Sequence, residues 1–395
     1  MVAKTDSGGR FYRPELDVVR FLAFVLVFFH HTLPDTSDPR VAHLLRGYGP
    51  AFDALGATCG YGMCLFFALS AFLICELLIR ERESSGTVGV KQFYIRRILR
   101  IWPVYYLALA IGLMFTLLPG AQPGAMAKIG WYAIFMGSWY AATQPPIYVP
   151  ISQLWSISVE EQFYVFAPWV MKYLSRKLLY GFCAALVLVS NLWICYLGHT
   201  LASDKAIWFN AFVQYECFAG GILLCLVLRG RLPRIVTWQR VVLIFLSFAL
   251  WFYTCNNLRA RFGMRGGQNP GAWVLMGGYA LTTLGSVLIL IAFLGADGKL
   301  FPQWAVYLGR ISFGLYVFND FSLFIIDRLI LQNASKFHGP LMNALRAPTL
   351  LLSDLLALGL TILTAAISYR YFETPFLKMK KHHAVIESQP IAGAS

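Results

Sequence analysis

Long apolar segments separated by short polar connections make up most of the chain. A helix needs about 20 predominantly apolar residues to cross the hydrocarbon core of a bilayer, and about ten segments approach or exceed that length. They lie near residues 15–33, 58–80, 100–118, 156–174, 178–198, 207–228, 237–255, 271–295, 304–330 and 350–373. This pattern predicts an all-α, polytopic membrane protein of about ten transmembrane helices.

A further apolar stretch, residues 129–142, is short and rich in Gly, Trp and Tyr. At that length an interfacial or re-entrant segment is as good an interpretation as a span. With ten spans and a cytoplasmic N-terminus, 20 loop Lys and Arg residues fall on the cytoplasmic side and nine on the opposite side. An eleventh span at 129–142 would invert every later loop, against the positive-inside rule. We therefore predict ten spans with both termini cytoplasmic.

Composition supports a membrane protein and argues against a nucleic-acid partner. The chain is 58% hydrophobic and 13% charged, whereas soluble domains carry about 25% charged residues. Its net charge of +14 comes mainly from short loops, and no soluble segment is long enough for a basic binding domain. The eight cysteines show no metal-ligand spacing, so we predict no metal. Residues 1–377 are expected to form one membrane domain, and 378–395 a basic, polar, disordered tail.

The first apolar segment, Pro14 to Thr32, carries ionisable side chains that hydrocarbon would not tolerate unless they are paired, solvated or used. At about 100° per residue, Arg20 and His31 project only about 20° apart and lie roughly 16 Å apart along the helix. His30 points about 80° away from Arg20. One face of this helix therefore carries a cation at one depth and an imidazole three turns further on.

Arg96, Arg97 and Arg100 follow the first cytoplasmic loop, and the last two share a helical face. A positive-inside anchor is one interpretation. The choice of arginine at all three positions favours another, because a guanidinium fork binds phosphate bidentately and a topology anchor could equally be lysine. A phosphorylated ligand from the cytoplasm could be held here.

A second polar cluster begins at Trp155, where Ser156, Glu160 and Tyr164 share one face of a predicted helix. The positive end of the helix dipole could account for the presence of one of the adjacent glutamates, Glu160 and Glu161, but it accounts poorly for both. A third cluster places a cation, a tyrosine, an amide and a carboxylate inside a span, at Arg310, Tyr316, Asn319 and Asp320. For Arg370 and Glu373 we prefer a structural ion pair, because they lie one turn apart.

These segments together resemble the acyltransferase-3 family of integral-membrane acyltransferases. The matching pieces occur in the family's order and cover nearly the whole chain: PELDVVRFLAFVLVFFHH at 14–31, GMCLFFALSAFLI at 62–74, FYIRRILRIWPVYY at 93–106, QLWSISVEEQFYVFAP at 153–168, GRISFGLYVFND at 309–320 and SYRYFETP at 368–375. Two positions depart from the family pattern: Asn319 stands where histidine is frequent, and Ala71 where glycine is frequent.

The resemblance implies a multi-pass enzyme of the cell (cytoplasmic or inner) membrane, in a stand-alone form without a fused hydrolase-like domain. It would move an acyl group, commonly acetyl, from cytoplasmic acyl-CoA to a hydroxyl, usually on a sugar. Acyl-CoA would be a co-substrate, and no cofactor would be permanently bound. The family pattern selects His31 over His30 as the essential histidine, assigns Arg97 and Arg100 to the acyl donor, and makes Glu160 the functional glutamate.

We therefore hypothesise that His31 is the general base and that Glu160 orients it, with Arg20, Arg97 and Arg100 binding acyl-CoA. Candidate supporting residues are His30, Asp17, Arg96, Trp155, Ser156, Tyr164, Tyr316 and Asn319. The acceptor stays open among polysaccharide, lipid-linked sugar, peptidoglycan and a small secreted metabolite such as a macrolide. A transporter or flippase would also carry intramembrane Arg, His and Glu, and a membrane sensor or scaffold is a third class.

Overall fold

The computed structural model describes residues 12–34, 36, 47–117, 122–200, 202–260, 269–331, 340–383 and 386. Within these residues all regular secondary structure is helical. The helices are α1 (Pro14–Thr32), α2 (Gly49–Gly60), α3 (Gly62–Ser85), α4 (Val90–Thr116), α5 (Ala125–Ala133), α6 (Gly137–Thr143), α7 (Trp155–Tyr173), α8 (Arg176–His199), α9 (Asp204–Trp208), α10 (Ala211–Leu228), α11 (Thr237–Asn256), α12 (Ala272–Phe293), α13 (Gln303–Arg310), α14 (Ser312–Ile326), α15 (Pro340–Ile367) and α16 (Thr374–Lys381).

Seven helical segments of the described chain are long and apolar enough to cross a membrane. They are α2 with α3, α4, α8, α10, α11, α12, and the segment that runs from Thr349 through α16. Each overlaps one of the predicted apolar segments. The predicted all-α, polytopic membrane protein is therefore confirmed, whereas the count of ten spans and the side of each terminus stay predictions.

Two of the three remaining predicted spans carry charged groups near their start, and the third is interrupted. Helix α1 carries Glu15, Asp17 and Arg20 within its first two turns, and α7 carries two adjacent glutamates. The third, predicted at 304–330, is divided between α13 and α14. These helices pack on other helices, and α1 lies against α2, α3, α13 and α14. The polar clusters singled out in the sequence are thus shielded by protein, as ionisable groups at membrane depth require.

The predicted segment 304–330 is not one continuous helix, and this expectation was wrong. The helix is interrupted at Ile311 and ends in a π-helical turn at Asp327–Leu331. Just before the interruption, a Cβ atom on Gly309 would overlap the backbone carbonyl of Asp17. Glycine therefore allows the backbones of α13 and α1 to touch. This close contact fixes α13 to the first helix, while α14 packs on α15.

Residues 129–142 form parts of two short helices rather than a span. Helices α5 and α6 are nine and seven residues long, and Phe135 between them has a φ of +57°. Neither reaches the roughly 20 residues that a crossing needs. The Phe135 ring stacks on Tyr105 of α4, with centroids 4.6 Å apart, and its carbonyl accepts a 3.0 Å hydrogen bond from Gln162 Nε2 of α7. The segment is therefore anchored to α4 and α7.

The predicted Arg370–Glu373 ion pair is absent from the described contacts. The chain is π-helical over Ser368–Glu373, where residues three apart no longer share the face that they share in an α-helix. Glu373 instead accepts a 3.1 Å hydrogen bond from Ser368, and Arg370 lies over the Tyr371 ring.

Lys378 to Lys381 belong to α16, and most of the predicted tail beyond them lies outside the described residues. Its predicted disorder stays a prediction.

Candidate functional site

A cavity runs between α1, α3, α4, α7 and α14, and it brings together most of the predicted site residues. We call it the arginine cavity, because Arg13, Arg20, Arg96, Arg97 and Arg100 line it. Of the other predicted residues, those that line it are Asp17, Ser156, Glu160, Tyr164 and Tyr316. His30, His31, Trp155 and Asn319 are not among its lining residues. The clusters from four distant parts of the sequence thus form one site.

Arg20 is held by the fully buried carboxylate of Asp17, three residues earlier on α1. The second Asp17 oxygen accepts a 2.9 Å hydrogen bond from the Tyr12 hydroxyl and lies 3.9 Å from Arg310 Nε. The Arg310 guanidinium also donates to the Tyr12 hydroxyl, at 3.0 Å. Asp17 therefore positions two arginines, one inside the cavity and one from the third predicted cluster.

Arg96 and Arg97 have different surroundings, although they are neighbours on α4. Arg96 Nη2 lies 2.7 Å from Glu81 Oε2, and its Nη1 donates a 2.8 Å hydrogen bond to the carbonyl of His383. The Arg97 guanidinium lies 5.1 Å from the Tyr164 ring centroid and 5.4 Å from that of Phe93. Within the described chain no carboxylate is in ion-pair contact with Arg97. Its fork therefore keeps its hydrogen-bonding capacity for a ligand, whereas Arg96 is already bound to a carboxylate.

Glu160 lies among these arginines. Its Oε2 accepts a 2.6 Å hydrogen bond from the Tyr164 hydroxyl, which is 2.7 Å from the Ser70 hydroxyl of α3. The cations whose charges act on Glu160 are those of Arg97, Arg100 and Arg20. The predicted face of α7 is thus present, and it points into the arginine cavity.

Hydrogen-bonded side chains at the start of α7 and on α14 form one wall of the cavity. Ser156 Oγ lies 2.6 Å from the Tyr316 hydroxyl, which donates to the carbonyl of Gln153. Gln153 Nε2 donates back to the Tyr316 carbonyl at 2.5 Å, and its Oε1 accepts from Asn319 Nδ2 at 3.4 Å. Tyr316 therefore contacts the cavity directly, and Asn319 supports it from behind Gln153.

Trp155 is buried in aromatic packing instead of facing the cavity. Its ring contacts Phe67, Trp208 and Phe209, with centroids 6.2, 6.0 and 4.9 Å away. These contacts fix the first turn of α7 against α3 and the segment that follows α9. Trp155 thus positions the helix that carries Ser156 and Glu160.

The two histidines lie at the opposite end of α1 from Arg20. His30 Nδ1 donates a 2.9 Å hydrogen bond to the carbonyl of Gly56, and its ring packs against Gly60 so closely that a Cβ there would lie 3.0 Å from Nδ1. The His31 side chain is exposed, and its ring is 5.4 Å from that of His30. His30 therefore joins α1 to α2, as a supporting residue would.

The structure does not bring Glu160 to His31, so the expected hydrogen bond between them is not made. The sequence could not exclude this pairing, because helical spacing gives the face of a residue but not its partner on another helix. Helix α1 is continuous from Arg20 to His31, so the predicted separation of about 16 Å holds. Glu160 belongs to the arginine end of the site and His31 to the other.

Six polar or charged lining residues were not singled out as site residues by the sequence: Tyr12, Arg13, Ser70, Glu81, Ser312 and Lys380. Ser70 lies in the conspicuous motif at 62–74, which was the available signal for it. Glu81 and Lys380 resemble ordinary loop charges in the sequence, and only tertiary packing places them here.

Among the described residues, no three His, Cys, Asp or Glu side chains are grouped to hold a metal.

A second buried polar network lies around the segment that precedes α7. Lys128 Nζ donates to Ser152 Oγ at 2.6 Å and to the carbonyl of Ile147 at 2.7 Å. Asp320 accepts from the Ser152 backbone N–H at 3.2 Å and from the Tyr148 hydroxyl at 3.4 Å. Burial lowers the pKa of Lys128 to about 8, an effect that the charge of Asp320 opposes. The network ties α5 and α14 to the connection that delivers Ser156.

Comparison with known proteins identifies the family of the chain. The model of an acyltransferase domain, that of the acyltransferase-3 family, matches residues 13–370. A Staphylococcus aureus (strain COL) protein, to which O-acetyltransferase activity is assigned by inference, is 24% identical over 342 residues. O-acetyltransferase OatA of Staphylococcus aureus (strain NCTC 8325 / PS 47) is 23% identical over 341 residues.

Each of these matches covers 80% of this chain and 52% of the relative, so the chain spans about half the length of the curated relatives it matches. No solved structure matches the chain significantly. The family model covers far more than half of the sequence, and its range contains the helices that build the arginine cavity apart from α16. The chain is a multi-pass membrane protein that belongs to the acyltransferase-3 family.

Proposed function

We propose that this chain is a membrane O-acyltransferase that moves an acyl group, first of all acetyl, from cytoplasmic acyl-CoA to a hydroxyl of a sugar or glycan-type acceptor. Family membership and the O-acetyltransferase names of the relatives support acyl transfer to oxygen. The proposed setting is the cytoplasmic membrane, with the arginine cavity open toward the cytoplasm. The donor and the acceptor are argued below from the residues.

The charge of the arginine cavity is the observation that carries the choice of donor. Among the described residues, the cavity is lined by six cationic side chains and three carboxylates. The cations are Arg13, Arg20, Arg96, Arg97, Arg100 and Lys380, and the carboxylates are Asp17, Glu81 and Glu160. Unbalanced charge is expensive in a water-poor site, so this excess favours a polyanionic ligand. Coenzyme A carries a diphosphate and a 3′-phosphate on one long chain, and thus fits the excess.

Within the cavity the arginines have separate tasks. Arg97 has no carboxylate partner in the described chain, so its planar fork is available to a phosphate. Arg100 follows one turn later on the same face of α4, and it adds a second cation. Arg20 and Arg96 are held by Asp17 and Glu81, and therefore present fixed positive charge without having to be ordered on binding.

The uncharged part of the donor would extend along α3 and α7 toward the hydroxyls of Ser156 and Tyr316. The walls there are apolar and include Met63, Phe66 and Leu69. A cavity that combines arginines, apolar walls and hydroxyls suits a molecule with phosphates at one end and a thioester at the other. The Tyr316 hydroxyl already donates to the carbonyl of Gln153, so Ser156, by turning its hydroxyl away from Tyr316, is the candidate to donate a hydrogen bond to the thioester carbonyl as it gains negative charge.

We assign the general base to His31, in agreement with the family pattern. Its imidazole would take the proton of the acceptor hydroxyl as that oxygen attacks the thioester carbonyl. The carbon–sulfur bond then breaks, the acyl group stays on the acceptor oxygen, and the coenzyme A thiolate takes up a proton from the imidazolium. Such proton transfer contributes typically 10²–10⁴-fold to the rate. The side chain of His31 is exposed, and the acceptor would approach it from the far side of the membrane.

Release of free coenzyme A tests the proposed function. Protein in lipid nanodiscs is incubated with acetyl-CoA and a panel of sugar acceptors, and coenzyme A and acylated product are both quantified. An O-acyltransferase gives the two in equal amounts, whereas a transporter or flippase gives neither. Mass spectrometry of glycans and small metabolites from cells with and without the gene would then identify the acceptor by one added acyl mass. A labelled small metabolite with unchanged glycans would favour the macrolide-type alternative.

A further inference from the structure

Helix α16 carries one of its three lysines into the arginine cavity. Lys380 lines the cavity and is partly buried, whereas Lys378 and Lys381 on the same short helix are exposed. The three lysines have the same formal charge and the same place in the sequence, near the C-terminal end of a helix. Because the three lysines differ mainly in their surroundings, comparing them separates the general effect of a basic residue near a helix end from an effect that is specific to the cavity.

The charges with the largest effect on Lys380 are those of four other cations that line the same cavity. They belong to Arg100, Arg97, Arg96 and Arg20. A fifth cation among four guanidinium groups costs repulsion in a site of low dielectric. A lysine that served only the positive-inside rule or the helix dipole would gain nothing from this position, because its exposed neighbours serve both equally well.

The end of α16 is also tied to the cavity through its backbone. The 2.8 Å hydrogen bond from Arg96 to the carbonyl of His383 holds the chain just beyond the helix, while Glu81 holds the other side of the same guanidinium. Helix α16 packs on α4, which carries Arg96, Arg97 and Arg100. The backbone that carries Lys380 is thus held beside the cavity by helix packing and by a hydrogen bond.

We propose that Lys380 is a phosphate ligand of the acyl donor and that α16 is part of the donor-binding site. The inference rests on the proposed function, since it requires an acyl-CoA donor in the arginine cavity. A lysine ammonium offers three donors on a flexible stem, and it complements the planar forks of Arg97 and Arg100.

Donor binding by matched lysine variants tests this inference. The dissociation constant of acetyl-CoA is measured by calorimetry with the full chain in nanodiscs. The salt concentration is low and is the same for every variant. A hydrogen bond to a charged group corresponds to about 10- to 100-fold in affinity, so K380Q should bind acetyl-CoA that much more weakly. K380R should bind nearly as tightly as the wild type, and K378Q and K381Q should stay within about twofold.

A second probe shows which phosphate is bound and needs no variant. Acetyl-CoA should protect Lys380 of the wild-type protein from an amine-reactive label, while Lys378 and Lys381 react equally with and without it. If 3′-dephospho-acetyl-CoA fails to protect Lys380, the 3′-phosphate is its ligand; if it protects equally, the diphosphate is.

The possible failures are distinguishable. Wild-type affinity of K380Q together with unprotected Lys380 overturns the inference and leaves the proposed function intact. If the wild-type protein neither binds acetyl-CoA nor releases coenzyme A, the proposed function and the inference fail together. Should K380Q lose its fold, as a lowered melting temperature would reveal, the labelling of wild-type Lys380 decides the question.

Discussion

The hydroxyl of Tyr164 donates a 2.6 Å hydrogen bond to Glu160, and the same tyrosine ring lies beneath the guanidinium of Arg97. One aromatic side chain thus joins the carboxylate of α7 to the arginines of α4. Because Glu160 has this partner instead of His31, its function is expected at the donor end of the site. The following predictions separate that end from the histidine end.

Glu160→Gln should lower turnover without weakening acetyl-CoA binding. The substitution removes a negative charge from the arginine cavity, so the phosphates of acetyl-CoA should bind at least as tightly. Turnover should fall because the arginines around Glu160 lose the carboxylate that helps to hold them in position. We expect the pH dependence of kcat to keep the wild-type midpoint, because His31 has no contact with Glu160. Steady-state kinetics from pH 5 to 9 checks both points. A shifted midpoint with unchanged donor affinity would instead support Glu160 as the residue that orients His31.

Arg97→Lys should weaken donor binding although it keeps the positive charge. The ammonium cannot form the two parallel hydrogen bonds that a guanidinium makes to phosphate, and we expect a loss of about tenfold. Arg234→Lys is a matched control, because Arg234 is an exposed loop residue. Calorimetry with acetyl-CoA measures both variants. Equal affinities for R97K and the wild type would show that Arg97 acts only as a topological charge.

Gly309→Ala should destabilise the protein and impair the donor site together. The new Cβ would overlap the carbonyl of Asp17, which can yield only by moving α1 and with it Arg20. Overpacking of this kind typically costs about 1–3 kcal/mol. Gly277→Ala in α12 is the control, since nothing lies within 4 Å of a Cβ there and alanine favours a helix. Thermal unfolding and acetyl-CoA affinity are the two measurements, and a harmless G309A would contradict the close contact.

Lys128→Met should change how stability depends on pH. An unfolded lysine has a pKa of about 10.4, whereas burial lowers that of Lys128 to about 8. The folded state therefore binds fewer protons between these values, and the penalty for burying Lys128 is complete below about pH 8 and relieved as the pH rises toward 10. We expect the wild-type protein to gain melting temperature relative to K128M over that interval. Parallel curves from pH 7 to 10 would show that Lys128 titrates normally.

Much of the architecture and most of the cavity were predictable from the sequence. Helical spacing alone placed Ser156, Glu160 and Tyr164 on one face, and the structure puts all three in one cavity. Ionisable side chains such as Asp17 and Arg20 are too costly to face hydrocarbon, and α1 was therefore expected to be buried among other helices. These inferences succeed because they depend on local periodicity and on the solvent.

Relationships between helices were not predictable in the same way. The sequence does not encode locally that Gly309 lies on the backbone of Asp17, or that a π-helical turn separates Arg370 from Glu373. Likewise, Lys380 could be distinguished from Lys378 only once α16 was packed on α4. Such pairings depend on how distant segments meet, which neither spacing nor composition determines.

Acyl transfer by His31→Ala, measured together with its donor affinity, tests the central claim most directly. Protein in nanodiscs is saturated with acetyl-CoA, acceptor is added, and the release of coenzyme A is followed in H31A, H30A and the wild type. The account predicts that H31A binds acetyl-CoA as tightly as the wild type but releases coenzyme A about 10²–10⁴ times more slowly, with a milder effect for H30A. Near-normal release by a folded H31A protein would contradict it.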